Sequence, residues 1–218
     1  MQSQEQIKVF IVDDHEIFRN GLKMVINRFK NAKVIAEATS GKEFLELLDK
    51  NLPDIVLMDI EMPEMNGIEA TKKALEKYPE LKIIALSMFN EDNYVESMID
   101  SGVRGFLLKN INKEKLGKAL ETVQKGGNYY SEELWEFFTR RISTHEEKNK
   151  NEEYKLTKRE QEILDMLSQG MSNKEIADKL FVSERTVIGH KSNLLAKTQC
   201  RNTLCLITYA IKNKMVDI

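Results

Sequence analysis

Apolar positions in the first two-thirds of the chain switch between two spacings. Short, mostly apolar runs occupy 7–12, 33–38, 54–58, 82–87 and 105–108, the first of β-branched and aromatic type. Between them, apolar residues recur at helical spacing: Leu22, Val25, Ile26 and Phe29 within 21–29, then Phe44, Leu45, Leu47 and Leu48 within 42–49. Further helical segments are predicted at 68–77, 92–100 and 113–125, the last closed by Gly126-Gly127. Strands this apolar are usually buried on both faces, as in parallel sheets. Five βα units in series predict an α/β fold, a doubly wound five-stranded parallel sheet.

Past residue 130 the pattern changes. Ser131 is placed to cap a short helix at 132–141, and 143–153 contains no apolar residue, which predicts a solvated linker. The rest has helical spacing throughout. Thr157 with Glu160 forms a capping-box signature for a helix that stops at Gly170. Ser172 precedes a shorter helix with Ile176, Ala177 and Leu180, Ser183 precedes a helix at 184–197, and a fourth helix is predicted at 203–213. Three regions follow: 1–127, a junction at 128–154, and a small all-α four-helix domain at 155–218. About 63 residues is close to the lower limit for a self-sufficient core, so packing or dimerisation is expected to support the last region.

Composition narrows the class. The chain has 218 residues, 41% hydrophobic and 31% charged, which is enough apolar material for real cores. Two cysteines exclude a disulfide scaffold, and Cys200 and Cys205 have no common zinc spacing, so they are expected to be inert thiols. The N-terminus lacks a secretory-signal pattern, and no apolar run approaches the ~20 residues of a membrane helix. A soluble cytoplasmic protein without a membrane partner is expected. The net charge of −2 divides unevenly: 156–218 holds ten Lys/Arg against seven Asp/Glu, and 1–155 holds 23 against 28. That is +3 and −5, an asymmetry that suggests divided labour.

In an open α/β sheet, ligands bind beyond the carboxyl ends of the strands. Asp13 and Asp14 follow the first predicted strand and Asp59 follows the third. Ser87 ends the fourth and Lys109 follows the fifth. Any one of these alone reads as a strand-end residue facing water; five at one sheet edge read as a site. Three converging carboxylates repel one another, and a hard divalent cation such as Mg²⁺ resolves the conflict.

These residues resemble the receiver domain of bacterial two-component response regulators, a flavodoxin-like fold. The resemblance rests on Asp13-Asp14, on Asp59-Ile60-Glu61-Met62-Pro63-Glu64-Met65-Asn66-Gly67, on Ala85-Leu86-Ser87, and on Gly102-Val103-Arg104-Gly105-Phe106-Leu107-Leu108-Lys109. It implies that Asp59 accepts a phosphoryl group from a sensor histidine kinase. It also implies that Asp13, Asp14, Asp59 and the backbone carbonyl of Glu61 hold Mg²⁺, that Lys109 and Ser87 bind the phosphoryl oxygens, and that Phe106 is the switch aromatic. The chain departs from common receivers at Phe106 (often Tyr), Asn110 (often Pro) and Met88 (often a small residue).

The C-terminal stretch resembles the LuxR-type helix-turn-helix. Its markers are Leu156-Thr157-Lys158-Arg159-Glu160, Gly170-Met171-Ser172-Asn173-Lys174-Glu175-Ile176-Ala177 and Val182-Ser183-Glu184-Arg185-Thr186-Val187. Together the two halves resemble the NarL/FixJ class, which implies a recognition helix at 184–197, a dimerisation helix at 203–213, double-stranded DNA as partner and a homodimer when phosphorylated. Candidate DNA contacts are Arg185, Thr186, Ile188, Gly189, Lys191, Ser192, Asn193 and Lys197. Ile188 and Ser192 stand where the class commonly has Lys, which weakens the electrostatics and alters the base preference. His190 is expected to contact backbone or to pack, and His15 to be a structural or solvated loop residue. The expected protein is a non-enzymatic regulator. Its rivals are a Mg²⁺-dependent phosphohydrolase with Asp59 as nucleophile, and a regulator working through protein partners without DNA reading.

Overall fold

The computed structural model describes residues 6–88, 97–98, 101–131, 156–200 and 203–216. The expected helix at 132–141 and the linker lie outside those residues, as does most of 92–100; Ser97 and Met98 are helical. The chain divides into two compact units between Gln124 and Lys125.

The first unit is built on parallel strands β1 (Ile7–Val12), β2 (Ala32–Ala38), β3 (Ile55–Asp59), β4 (Lys82–Ser87) and β5 (Gly105–Leu108). Its described helices are α1 (Glu16–Ile26), α2 (Gly41–Leu48), α3 (Gly67–Lys77) and α4 (Lys113–Gln124). The sheet order is β2-β1-β3-β4-β5-β6, where β6 is the pair Tyr129–Tyr130. Six strands replace the five expected, because a two-residue strand is too short to show a period in sequence. The order reverses at β1, since β2 lies on one side of it and β3 on the other. Every residue of β3 and β5 is buried, as expected for strands covered on both faces.

Register fixes what meets at the carboxyl edge. Val12 pairs with Met58, Met58 with Ala85 and Ala85 with Phe106. The next step along each strand therefore brings Asp13 level with Asp59, and Asp59 pairs with Leu86. Ser87 and Leu108 pair one step further on, with Lys109 following. Three element bounds differ from expectation in ways that matter here. Helix α1 starts at Glu16, five residues before its apolar period begins, because its first turn leaves Ile17 90% exposed. It also ends before Phe29, and strand β3 runs on to include Asp59 rather than stopping at Met58.

The second unit contains α5 (Lys158–Ser168), α6 (Asn173–Leu180), α7 (Glu184–Thr198) and α8 (Thr203–Lys212). Capping boxes start α5 at Thr157/Glu160 and α6 at Ser172/Glu175, and the Ser183 side chain caps α7 by accepting from the Thr186 N–H. Between α5 and α6 the chain reverses at Gly170, whose φ of 80° an L side chain rarely adopts. The core contains Ile163, Leu164, Leu167, Ile176, Ala177, Val187, Leu194, Leu206, Ile207 and Ala210. Leu180 and Val182, expected in the shared core of the turn, are only half-buried.

Candidate functional site

The carboxylates meet where the register predicts. Asp13 and Asp59 are buried, and Asp14 is partly exposed beside them. Lys109 Nζ lies 2.7 Å from Asp59 Oδ2 and 3.0 Å from Asp13 Oδ2, with its side chain only 5% exposed. Burial alone would lower the Lys109 ammonium. The hydrogen bond and charge of Asp59, then those of Asp13, outweigh this and hold it above its ordinary value. The Phe18 ring also faces this ammonium, 5.3 Å from centroid to Nζ.

His15 is a solvent-facing loop residue, as expected, and it also borders the carboxylates. Its side chain is 61% exposed, yet Nδ1 lies 3.0 Å from Asp14 Oδ1, 3.4 Å from Asp13 Oδ1 and 4.0 Å from Asp59 Oδ2. Its backbone N–H donates to Asp13 Oδ1 at 2.8 Å. One ligand-capable atom from each of Asp13, Asp14, His15 and Asp59 fits within 4.8 Å of the others. Arg19, which sequence spacing did not single out, donates to the Asp13 carbonyl at 2.7 Å from the first turn of α1. No sequence period relates it to Asp13, since the loop at 13–15 separates β1 from α1.

The far wall of the site depends on close backbone approach. Gly67 N–H donates to the Ile60 carbonyl at 2.9 Å, and a Cβ on Gly67 would stand 1.9 Å from the Asp59 carbonyl oxygen. Only glycine fits. Asn66 caps α3 by accepting from Glu69 N–H at 2.9 Å. The loop between β3 and α3 then opens a cleft of about 450 Å³ whose lining includes Asp14, His15, Glu61 and Pro63. Ser87 is buried and its hydroxyl donates to the Met88 carbonyl at 2.9 Å, while Lys109 N–H donates to the Ser87 carbonyl at 2.8 Å. Phe106 is 1% exposed in β5, paired with Ala85, and Met88 at the rim is 53% exposed.

Hard oxygen donors dominate the cluster, and three carboxylates face the one Lys109 ammonium, so a divalent cation suits both the chemistry and the charge.

In the second unit, α7 buries Val187, Leu194 and Thr198 and exposes Arg185, Thr186, Ile188, Gly189, Ser192 and Asn193. Several of its polar groups already have partners. Thr186 Oγ1 is 2.8 Å from Ser183 Oγ, and Ser192 Oγ donates to the Ile188 carbonyl at 2.9 Å. Lys191 Nζ is 3.4 Å from Asn173 Oδ1. Lys197 Nζ is 2.7 Å from Glu160 Oε2, a tie from α7 to the start of α5. The exposed candidates are thus brought to one helix face, while Lys197 is held by an internal carboxylate. His190 is half-buried on the same helix.

Two family models match the chain. The response regulator receiver domain covers residues 9–121, and the luxR family of bacterial regulatory proteins covers 154–210. The chain is a response regulator of the NarL/FixJ class. The regulator is 36% identical to the oxygen regulatory protein NreC of Staphylococcus haemolyticus over 216 residues, 97% of this chain and all of that one. It is 33% identical to the transcriptional regulatory protein DegU of Brevibacillus brevis over 230 residues, 99% and 98% of the two chains. Among solved structures it resembles the response regulator ChrA of a heme-sensing two-component system, at 29% identity and a TM-score of 0.54 over 96% and 98% of the chains. It also resembles RcsB dimers bound to DNA, at 26% identity and a TM-score of 0.57 over 95% and 99%. The regulator therefore combines a receiver with a LuxR-type DNA-binding module, and it is a DNA-binding protein of a two-component system.

Proposed function

We propose that Asp59 is the phosphoacceptor and that its phosphorylation by a sensor histidine kinase switches the chain to a DNA-binding homodimer. The observation that carries this reading is the buried Asp59–Lys109–Asp13 cluster, with one ammonium 2.7 and 3.0 Å from the two carboxylates. A carboxylate oxygen of Asp59 attacks phosphorus, an O–P bond forms, and the N–P bond to the kinase histidine breaks. Asp13, Asp14, Asp59 and the Glu61 carbonyl would hold Mg²⁺, which would supply positive charge to the transferring oxygens. Lys109 adds the positive charge of its ammonium, and the Ser87 hydroxyl turns from the Met88 carbonyl to a phosphoryl oxygen. Phe106 is the aromatic whose packing follows Ser87. The phosphoryl group brings nearly two negative charges to a site already rich in carboxylate, which is the force available to the switch.

The layout follows the sequence: a receiver over 1–127, a junction over 128–154 and the DNA-binding domain over 155–218. In the latter, α7 enters the major groove with Arg185, Thr186, Ile188, Gly189, Lys191, Ser192 and Asn193 as the contact set, Lys197 being paired with Glu160, and α8 dimerises. The chain is a cytoplasmic switch rather than a turnover enzyme; among the described residues no helix is long and apolar enough to cross a membrane.

The test is intact-mass spectrometry of the full chain with Mg²⁺ and phosphoramidate, a small P–N phosphodonor. One phosphoryl adduct is expected, labile to hydroxylamine as an acyl phosphate and absent from Asp59→Asn. An adduct that persists in Asp59→Asn contradicts the assignment.

A further inference from the structure

We infer that Ile188 reads the 5-methyl group of a thymine in the major groove, so that the DNA this chain selects carries a thymine at a fixed place in each half-site. The inference rests on α7 being the recognition helix and names what that helix reads.

Two large apolar side chains are exposed among the described residues of the second unit: Phe181 in the turn and Ile188 on α7, 45% exposed. At ~100° per residue, the buried Val187, Leu194 and Thr198 define the inner side of α7. Arg185, Ile188, Gly189, Ser192 and Asn193 fall on the outer half. Most of that half is short or already satisfied. An added Cβ on Gly189 would meet nothing within 4 Å, so the helix backbone can come close to the groove floor. The Ser192 hydroxyl proton goes to the Ile188 carbonyl, within the helix. At the level of Ile188, the outward group is therefore a branched hydrocarbon beside open space.

Base edges in the major groove offer donors, acceptors and one apolar group, the thymine methyl. An isoleucine held against a cytosine amino group or a guanine edge would desolvate polar atoms without replacing their hydrogen bonds. Against thymine, both methyl surfaces leave water together. The surroundings suit a polyanion: Arg185 and Lys191 lie on α7 against the lone acidic Glu184, while Lys197 is paired with Glu160 of α5.

The test starts from a pool of duplexes with a random centre, selected on the full-length chain with beryllium fluoride and Mg²⁺. The most enriched duplex is then synthesised with each thymine replaced singly by deoxyuridine, which removes the methyl and keeps every hydrogen-bonding group. Binding is expected to weaken about fourfold at one thymine per half-site, the effect of one buried methyl. Ile188→Ala should bind both duplexes alike, and Ile188→Val should restore part of the preference. Equal affinity of the unaltered chain for both duplexes overturns the inference while leaving DNA binding intact. So does a preference that survives in Ile188→Ala. Failure to enrich any sequence overturns the assignment of α7 as recognition helix and the inference with it.

Discussion

Lys109 is the residue on which the receiver site balances. It holds two carboxylates that the sheet register forces together, and both are essentially inaccessible to water. Removing one partner of a buried ion pair leaves the other charge uncompensated, at a cost of about 3–5 kcal/mol. Lys109→Met is therefore expected to lose about 3 kcal/mol of stability in chelator, measured by urea unfolding. Added Mg²⁺ should return part of the loss, because an ion that binds the folded state alone stabilises it. An unchanged unfolding midpoint would mean that the lysine is not paired in solution. Gly67 is a second constraint, steric rather than electrostatic. Gly67→Ala drives a methyl into the Asp59 carbonyl oxygen at 1.9 Å, and neither group is a flexible side-chain end. It is expected to cost about 3 kcal/mol or more and to lower the yield of phosphorylated protein. A stable, fully phosphorylated Gly67→Ala would show that the β3–α3 loop can shift.

At the scale of elements, local chemistry and long-range pairing contribute differently. The bounds of β1, β4 and β5 follow directly from the apolar runs, and the three N-caps Thr157, Ser172 and Ser183 follow from short polar motifs whose partners are three residues away. Features that depend on distant residues were not legible. Lys197 looks like a DNA contact from its charge and helix, but its partner Glu160 lies 37 residues earlier. His15 is the exposed loop residue expected beside Asp13 and Asp14, but its approach to Asp59, 44 residues later, comes only from the pairing of β1 with β3. Phe29 looks like part of the α1 face, but the helix ends at Ile26 and the ring lies against Gly117 instead.

The Glu160–Lys197 tie predicts a pH signature. Burial pushes the Glu160 carboxyl up, but the Lys197 ammonium and the backbone and hydroxyl donors of Thr157 outweigh it and hold it below the ordinary value of 4.5. A carboxyl depressed in the folded state stabilises the fold fully above its unfolded value, and that contribution disappears as pH falls through the folded value. Glu160→Gln should therefore be less stable than the parent at neutral pH, with the gap closing below about pH 4.5. A gap constant down to acid pH would show that the carboxylate charge contributes nothing. Thr157→Ala should cost about 1 kcal/mol through the lost cap.

For the whole molecule, the proposed function makes the acidic and basic halves the input and output of one switch. Moving a two-state population from 1:99 to 99:1 takes about 5.5 kcal/mol of differential stabilisation. On the proposed assignment, one phosphoryl group facing Lys109, Ser87 and a divalent cation would be a source of that size, since charge-assisted hydrogen bonds are individually strong. The C-terminal region alone carries only +3, so one copy gains modest attraction to a polyanion, and pairing two copies doubles both charge and contact. The salt dependence of DNA binding should steepen on activation, because a dimer displaces more counterions than a monomer.

The most direct measurement of the phospho-switch is sedimentation velocity of the full chain, alone and with a selected DNA duplex, before and after beryllium fluoride and Mg²⁺, with Asp59→Asn alongside. Activation is predicted to shift the parent chain from monomer to dimer and to tighten its binding to the duplex, and Asp59→Asn is predicted to do neither. A parent chain whose mass and affinity are the same before and after activation, or equal activation of Asp59→Asn, would contradict the account.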